Sequence, residues 1–183
     1  MPSEVNEDLD EGADPRAVTE ELAKRKVHKV VETLKNDPSK APSSTLWVCG
    51  ADTLIAFNGK LYGKPVDRED ARRMLCSFQG KTHEVWSAIA LYSGSAETTD
   101  CRSVVSTVTF APLSIGEIEW YLDSGEWQDA AGAYKIQGLA SCLISSINGS
   151  YSSIVGLPLR EFYAILRDNG YNFSNHGVLP ELS

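Results

Sequence analysis

Long apolar runs, paired cysteines and a surplus of positive charge are all missing from this chain of 183 residues. No apolar stretch approaches the ~20 residues that a bilayer-spanning helix needs, so the sequence gives no reason to expect a membrane. The N-terminus is acidic and polar, the reverse of a basic-then-apolar secretory leader, and the cytoplasm is the expected compartment. The two N-x-S sites, at Asn148 and Asn172, carry little weight there. Four cysteines, Cys49, Cys76, Cys101 and Cys142, stand far apart with no C-x-x-C pair. That spacing argues against zinc and, at this size, against a disulfide framework; buried free thiols are the expectation. With 17 Lys+Arg against 25 Asp+Glu, the formal charge is −8. A generic nucleic-acid coat needs basic surface and is excluded as a reading. No G-x-x-x-x-G-K-[ST] segment occurs, so P-loop and kinase readings fail as well.

What is present suits one ordinary soluble domain: 42% apolar residues, 23% charged, and enough length for a real core. Residues Met1 to Gly12 are acidic and read as loosely attached. Asp14-Pro15 opens a helix with an Asp cap and Pro at the first helical position. Val18, Leu22, Val27, Val30, Val31 and Leu34 form its apolar stripe, and its lysines read as a solvated face. Asn36 to Ser44 is a Pro/Ser linker. Leu46 to Phe57 reads as a buried strand, with Asp52 and Thr53 where it ends against the small residues Gly50-Ala51.

Asp67 caps a second helix whose inner face is Ala71, Met74, Leu75 and Phe78, stopped by Gly80. Alternating segments at Thr82–Tyr92 and Ser103–Phe110 read as a hairpin. Ser114-Ile-Gly-Glu117 is a capping box opening a short helix. Asp129 to Gly138 is a small-residue segment able to lie against a ligand. Leu143–Ile147 and Tyr151–Val155 read as two strands joined at Asn148-Gly149. A last amphipathic helix carries Phe162, Ile165 and Leu166, and residues 171–183 read as a loose tail. The expected class is α/β with a mixed sheet and flanking helices, in one domain spanning 1–183.

The residues that carry chemistry converge on phosphate. Asp52, at the end of a buried strand, can ligate Mg²⁺ or accept a proton from an attacking water; a turn-forming Asp is the equally weighted alternative. Lys64, between Gly63 and Pro65, is a fixed point charge suited to phosphate. Lys81 follows a helix stop and either neutralises that helix's C-terminal dipole or binds phosphate. His83 could act as an acid or base, but a histidine on a strand with no Cys or Ser partner nearby reads more readily as a hydrogen-bonded structural residue. Gln137 has both donor and acceptor, the equipment for reading a base edge.

An ordered set of short words resembles the Maf family of nucleoside triphosphate pyrophosphatases, also called septum formation inhibitor Maf-like proteins. They are Gly50-Ala-Asp-Thr53, Gly63-Lys-Pro65, Gly80-Lys-Thr-His83, Thr107-Val-Thr-Phe110, Ala131-Gly-Ala-Tyr134, Ile136-Gln-Gly138 and Val155-Gly-Leu-Pro-Leu159. The resemblance implies an elongated α/β fold akin to the inosine triphosphate pyrophosphatases, with substrate in a cleft between two lobes. It implies cleavage between the α- and β-phosphates with a divalent cation, Mg or Mn, and a role in cleansing the nucleotide pool. Asp52 would be the proton acceptor and a metal ligand, with Lys64 and Lys81 on the phosphates. Thr53 and Gln137 mark the family branch acting on dTTP and UTP, so a pyrimidine nucleoside triphosphate is the expected partner, with a homodimer compatible.

Three departures stand beside the match. The family's opening strand, Ser-x-Ser-Pro-Arg-Arg phosphate loop and helix have no counterpart, since the chain begins near the following acidic segment, Ser3 to Glu7. Asn6 stands where the family usually has a carboxylate. Ala130 replaces a lysine, and Lys135 is expected to point elsewhere. These departures support the alternative, a non-catalytic nucleotide-binding or division-related interaction protein.

Overall fold

The structure, a computed structural model, describes residues 12–36 and 46–173. The acidic N-terminal segment with Asn6, most of the Pro/Ser linker, and the tail beyond 173 lie outside the described residues. Helix α1 (Pro15–Lys35) starts where the cap predicts: the Asp14 carboxylate accepts from the Arg16 N–H. Strand β1 (Trp47–Phe57) turns at Asn58-Gly59 into the short β2 (Lys60–Tyr62). Then come α2 (Arg68–Phe78), capped by Asp67, and the hairpin of β3 (Thr82–Ser93) and β4 (Thr98–Phe110). Helix α3 (Ile115–Asp123) begins in the expected capping box, with Ser114 and Glu117 satisfying each other's backbone N–H groups. Two short 3₁₀ turns, Ala131–Ala133 and Leu139–Leu143, lead to β5 (Ile144–Asn148). Helices α4 (Tyr151–Val155) and α5 (Leu159–Asp168) follow.

The strands form one sheet in the order β2-β1-β3-β4-β5. The α/β class with flanking helices holds, and the four pairings among the described residues are all antiparallel rather than mixed. Central β3 is buried continuously from Ser87 to Ser93, because helices cover both of its faces. On one face Ala23, Val27 and Val31 of α1 pack on Val48, Ala88, Ala90 and Tyr92. On the other, Ile165 and Leu166 of α5 meet Leu91. The largest cluster lies toward the far end of the ladder, where Ile55, Phe57, Phe78, Phe110, Tyr121 and Tyr134 close over one another.

Two expectations are corrected. Tyr151–Val155 is helix α4, not the second strand of a hairpin. The Ser150 side chain accepts from the Ser153 N–H and so starts a helix directly after Gly149, and five residues are too few for periodicity to separate the two states. The two-residue hairpin turn is Asn58-Gly59 instead, where both residues have positive φ (51° and 75°) as a type I′ turn requires. The cysteines are indeed free, but Cys49 and Cys142 are exposed rather than buried.

Candidate active site

The site begins with a missing side chain. A Cβ at Gly50 would meet Val27 Cγ2 at 3.0 Å and the Ala23 carbonyl oxygen at 3.3 Å, so α1 lies against the backbone of β1 here. That approach carries Lys26 over the strand to Asp52. The Asp52 side chain is only 5% exposed, and Lys26 Nζ forms a close ion pair with Asp52 Oδ1. The same ammonium donates to the Ala51 carbonyl at 3.2 Å. Lys26 was expected on a solvated face; it is instead ion-paired with the acid. Its position four residues after Leu22 and beside Val27, on the flank of the buried stripe, was the available signal.

Beside this pair lies a cavity of about 320 Å³. Asp52, Thr53, Lys64 and Gln137, picked from the sequence, all line it. Lys26, Asp129 and Lys135 also line it. Three lysines against two aspartates leave the cavity one charge positive in a chain of net charge −8. Such a local reversal suits a polyanion. Lys64 approaches Asp129 at 3.7 Å, and both side chains are largely open to solvent. Pairs this exposed add little stability, so the lysine is available to a ligand at small cost.

The wall from Asp129 to Gln137 is held in an unusual shape. Asp129, Gly132 and Ala133 have φ values of 59°, 67° and 65°, a backbone that non-glycine residues adopt rarely. Gly132 admits no side chain, since a Cβ would stand 2.0 Å from Ile55 Cδ1. Its N–H donates to the Gly63 carbonyl at 2.8 Å, tying this wall to the turn that carries Lys64. On the opposite side Ile154, Val155 and Gly156 line the cavity.

Two sequence-picked residues lie elsewhere. Lys81 does not line the cavity; its Nζ sits 5.6 Å from the centre of the Phe57 ring. Asp52 pairs with Ala88, seven residues farther along than Lys81, which is roughly 23 Å of strand. His83 is buried, 3% exposed, and its Nε2 is 2.9 Å from the Tyr134 hydroxyl. Burial pushes its pKa down to about 4, so the ring is neutral near pH 7, in keeping with a structural histidine. Through Tyr134, which lines the cavity, it braces the wall from behind.

Among the described residues no group of three His, Cys, Asp or Glu side chains is placed to hold a metal ion. The cavity is lined by two carboxylates, Asp52 and Asp129, oxygen donors of the kind Mg²⁺ takes alongside water and phosphate. No helix of the described residues is long and apolar enough to cross a membrane.

Comparison with known proteins places the chain among its relatives. The family model described as Maf-like protein matches residues 1–169. The chain is 43% identical over 142 residues to the dTTP/UTP pyrophosphatase of Hydrogenovibrio crunogenus, covering 77% of this chain and 72% of that one. It is 49% identical over 119 residues to the dTTP/UTP pyrophosphatase of Shewanella frigidimarina, covering 65% of this chain and 60% of that one. It is 40% identical over 175 residues to the dTTP/UTP pyrophosphatase of Symbiobacterium thermophilum, covering 96% of this chain and 84% of the relative. The chain belongs to the Maf family.

Proposed function

We propose that this chain is a nucleoside triphosphate pyrophosphatase that hydrolyses dTTP and UTP to the monophosphate and pyrophosphate. The observation that carries the reading is the nearly buried, ion-paired Asp52 at the edge of a lysine-lined cavity. The names of the relatives supply the substrate class.

In this reading the triphosphate lies along Lys26, Lys64 and Lys135, with the α-phosphorus near Asp52. Asp52 accepts a proton from a water as its oxygen attacks phosphorus. The bond from the α-phosphorus to the oxygen bridging to the β-phosphorus breaks, and pyrophosphate leaves with that oxygen. The lysines stabilise the negative charge that collects on the leaving group, a contribution that grows toward the transition state. Asp52 and Asp129 are the residues that would hold a divalent cation arriving with the phosphates. Such an ion supplies charge neutralisation and polarises the phosphoryl oxygens. Gln137 reads the base, and Thr53 lies within the same cavity. Lys81 has no role in this scheme, because it stands at the other end of the ladder.

The test is pyrophosphate release from dTTP, UTP, CTP and GTP with Mg²⁺ or Mn²⁺. Release from dTTP and UTP should exceed that from CTP and GTP by at least about tenfold, the scale of discrimination by one or two hydrogen bonds. Orthophosphate as the first product would overturn the reaction class, and equal rates on all four would overturn the pyrimidine assignment.

A further inference from the structure

Behind Thr53 runs a chain of buried hydroxyls whose hydrogens are all accounted for. Ser87 Oγ lies 2.6 Å from the Ser153 carbonyl oxygen. Two oxygens that close require a hydrogen between them, and a carbonyl can only accept, so Ser87 donates there. Ser87 has no second hydrogen. The 2.9 Å contact between Thr53 Oγ1 and Ser87 Oγ is therefore donated by Thr53.

A second set of hydroxyls, joined to the first only through the Ser153 backbone, has its hydrogens placed in the same way. Ser153 Oγ donates to the Ser150 carbonyl at 2.7 Å, so its 2.9 Å contact with Ser106 Oγ is donated by Ser106. The Ser150 N–H closes the set by donating to Ser106 Oγ at 3.0 Å. Ser87 and Ser153 are 0% exposed and Ser106 is 2% exposed, so water cannot take over the bonds the serines donate.

From this we infer that Ser87 is a specificity-determining positioning residue, fixing the Thr53 hydroxyl as a pure hydrogen-bond acceptor toward the cavity. The inference rests on the proposed pyrimidine triphosphate reading and sharpens it. A hydroxyl that has given its hydrogen away accepts from a ligand N–H or O–H and meets a ligand lone pair with repulsion. The donors that thymidine and uridine nucleotides share are the imide N–H of the base and the 3′-hydroxyl of the sugar. Cytosine presents a lone pair at the same ring position, so an acceptor there rejects it. The serine chain also spans from β1 through β3 to α4, which ties the polarity of Thr53 to the placement of the opposite wall at Gly156.

The test compares dTTP with dCTP, for the base arm, and with 3′-deoxy-3′-fluoro-dTTP, which puts lone pairs where the 3′-hydroxyl donated, for the sugar arm. Wild type, Ser87→Ala and Ser87→Thr are each assayed for KM and kcat. In wild type one arm should show a KM raised roughly tenfold with kcat within about twofold, the scale of one lost or repelled hydrogen bond. Ser87→Ala frees the Thr53 hydrogen, and the penalty in that arm should fall to about twofold; Ser87→Thr, which keeps the hydroxyl, should restore it. A wild type with no penalty in either arm, or a Ser87→Ala protein that keeps the full penalty, would overturn the inference. If Ser87→Ala fails to fold, Thr53→Val and Thr53→Ser decide: the first must lose the penalty and the second must keep it. Calorimetric affinities of Asp52→Asn for the same nucleotides repeat the comparison without turnover. A failure of hydrolysis is thereby distinguished from a failure of the hydroxyl chain.

Discussion

The two ends of the β1–β3 ladder hold similar side chains in opposite settings. At the Asp52 end, two acids, three lysines and the Thr53 hydroxyl line an open cavity, with a charged pair at its edge. At the other end, Lys81 lies over the Phe57 ring and His83 is enclosed by Phe78, Phe110 and Tyr134. A Gly-Lys word occurs at both ends, as Gly63-Lys64 and Gly80-Lys81. Only the first faces the cavity. Residue type nominates a group for chemistry; whether the fold leaves it facing a ligand or packed on an aromatic ring decides its use.

The comparison breaks most sharply at Asp52. Asp52→Asn should lower kcat for pyrophosphate release by about 10³-fold, the range for removing a general base, while dTTP affinity stays within about tenfold. Turnover near wild type would remove Asp52 from the chemistry. Lys26→Met keeps the length of the side chain but removes the charge beside the acid. We expect kcat/KM to fall about 10²-fold, as for loss of one charged group stabilising the transition state. An unchanged kcat/KM would return Lys26 to the structural side of the comparison.

At the other end the expected effect is on stability. Burial holds the pKa of His83 at about 4 in the fold against 6.5 for a solvated histidine, so the unfolded chain takes up a proton that the native state refuses. Its contribution is full above about pH 6.5 and is lost as pH falls toward 4, by at most about 3 kcal/mol. Urea titrations from pH 7 to pH 4 should show that slope, and His83→Gln should flatten it. The same slope in both proteins would assign it to other groups. The smallest effect is expected at the exposed cation of this end: Lys81→Ala should leave kcat/KM within about twofold, the scale of a weak surface contact. A tenfold loss would mean that the phosphates reach far beyond the cavity.

Much of the fold was legible because it is written locally. Asp14, Asp67 and Ser114 each sit beside the apolar pattern they cap, and each starts a helix where read. The Asn-Gly dipeptides were less informative. Asn58-Gly59 turns a hairpin, whereas Asn148-Gly149 hands over to Ser150, whose capping hydroxyl outweighs the β-favouring Tyr, Ile and Val after it. At the site, Asp52, Thr53, Lys64 and Gln137 were legible as polar groups set among small residues at a strand end or turn. Lys26 was not, although it is ion-paired with Asp52. Its place depends on how α1 settles against Gly50 across 26 positions of sequence, a fact of packing that no local pattern records. The polarity of Thr53 was hidden for the same reason, since Ser87, Ser106 and Ser153 meet only when β3, β4 and α4 are assembled.

The most direct measurement is a single turnover of dTTP in ¹⁸O-labelled water, with the position of the label read in both products. Attack at the α-phosphorus beside Asp52 predicts label in the monophosphate and none in the pyrophosphate. Label in the pyrophosphate would contradict the account, because water would then have attacked the β-phosphorus instead.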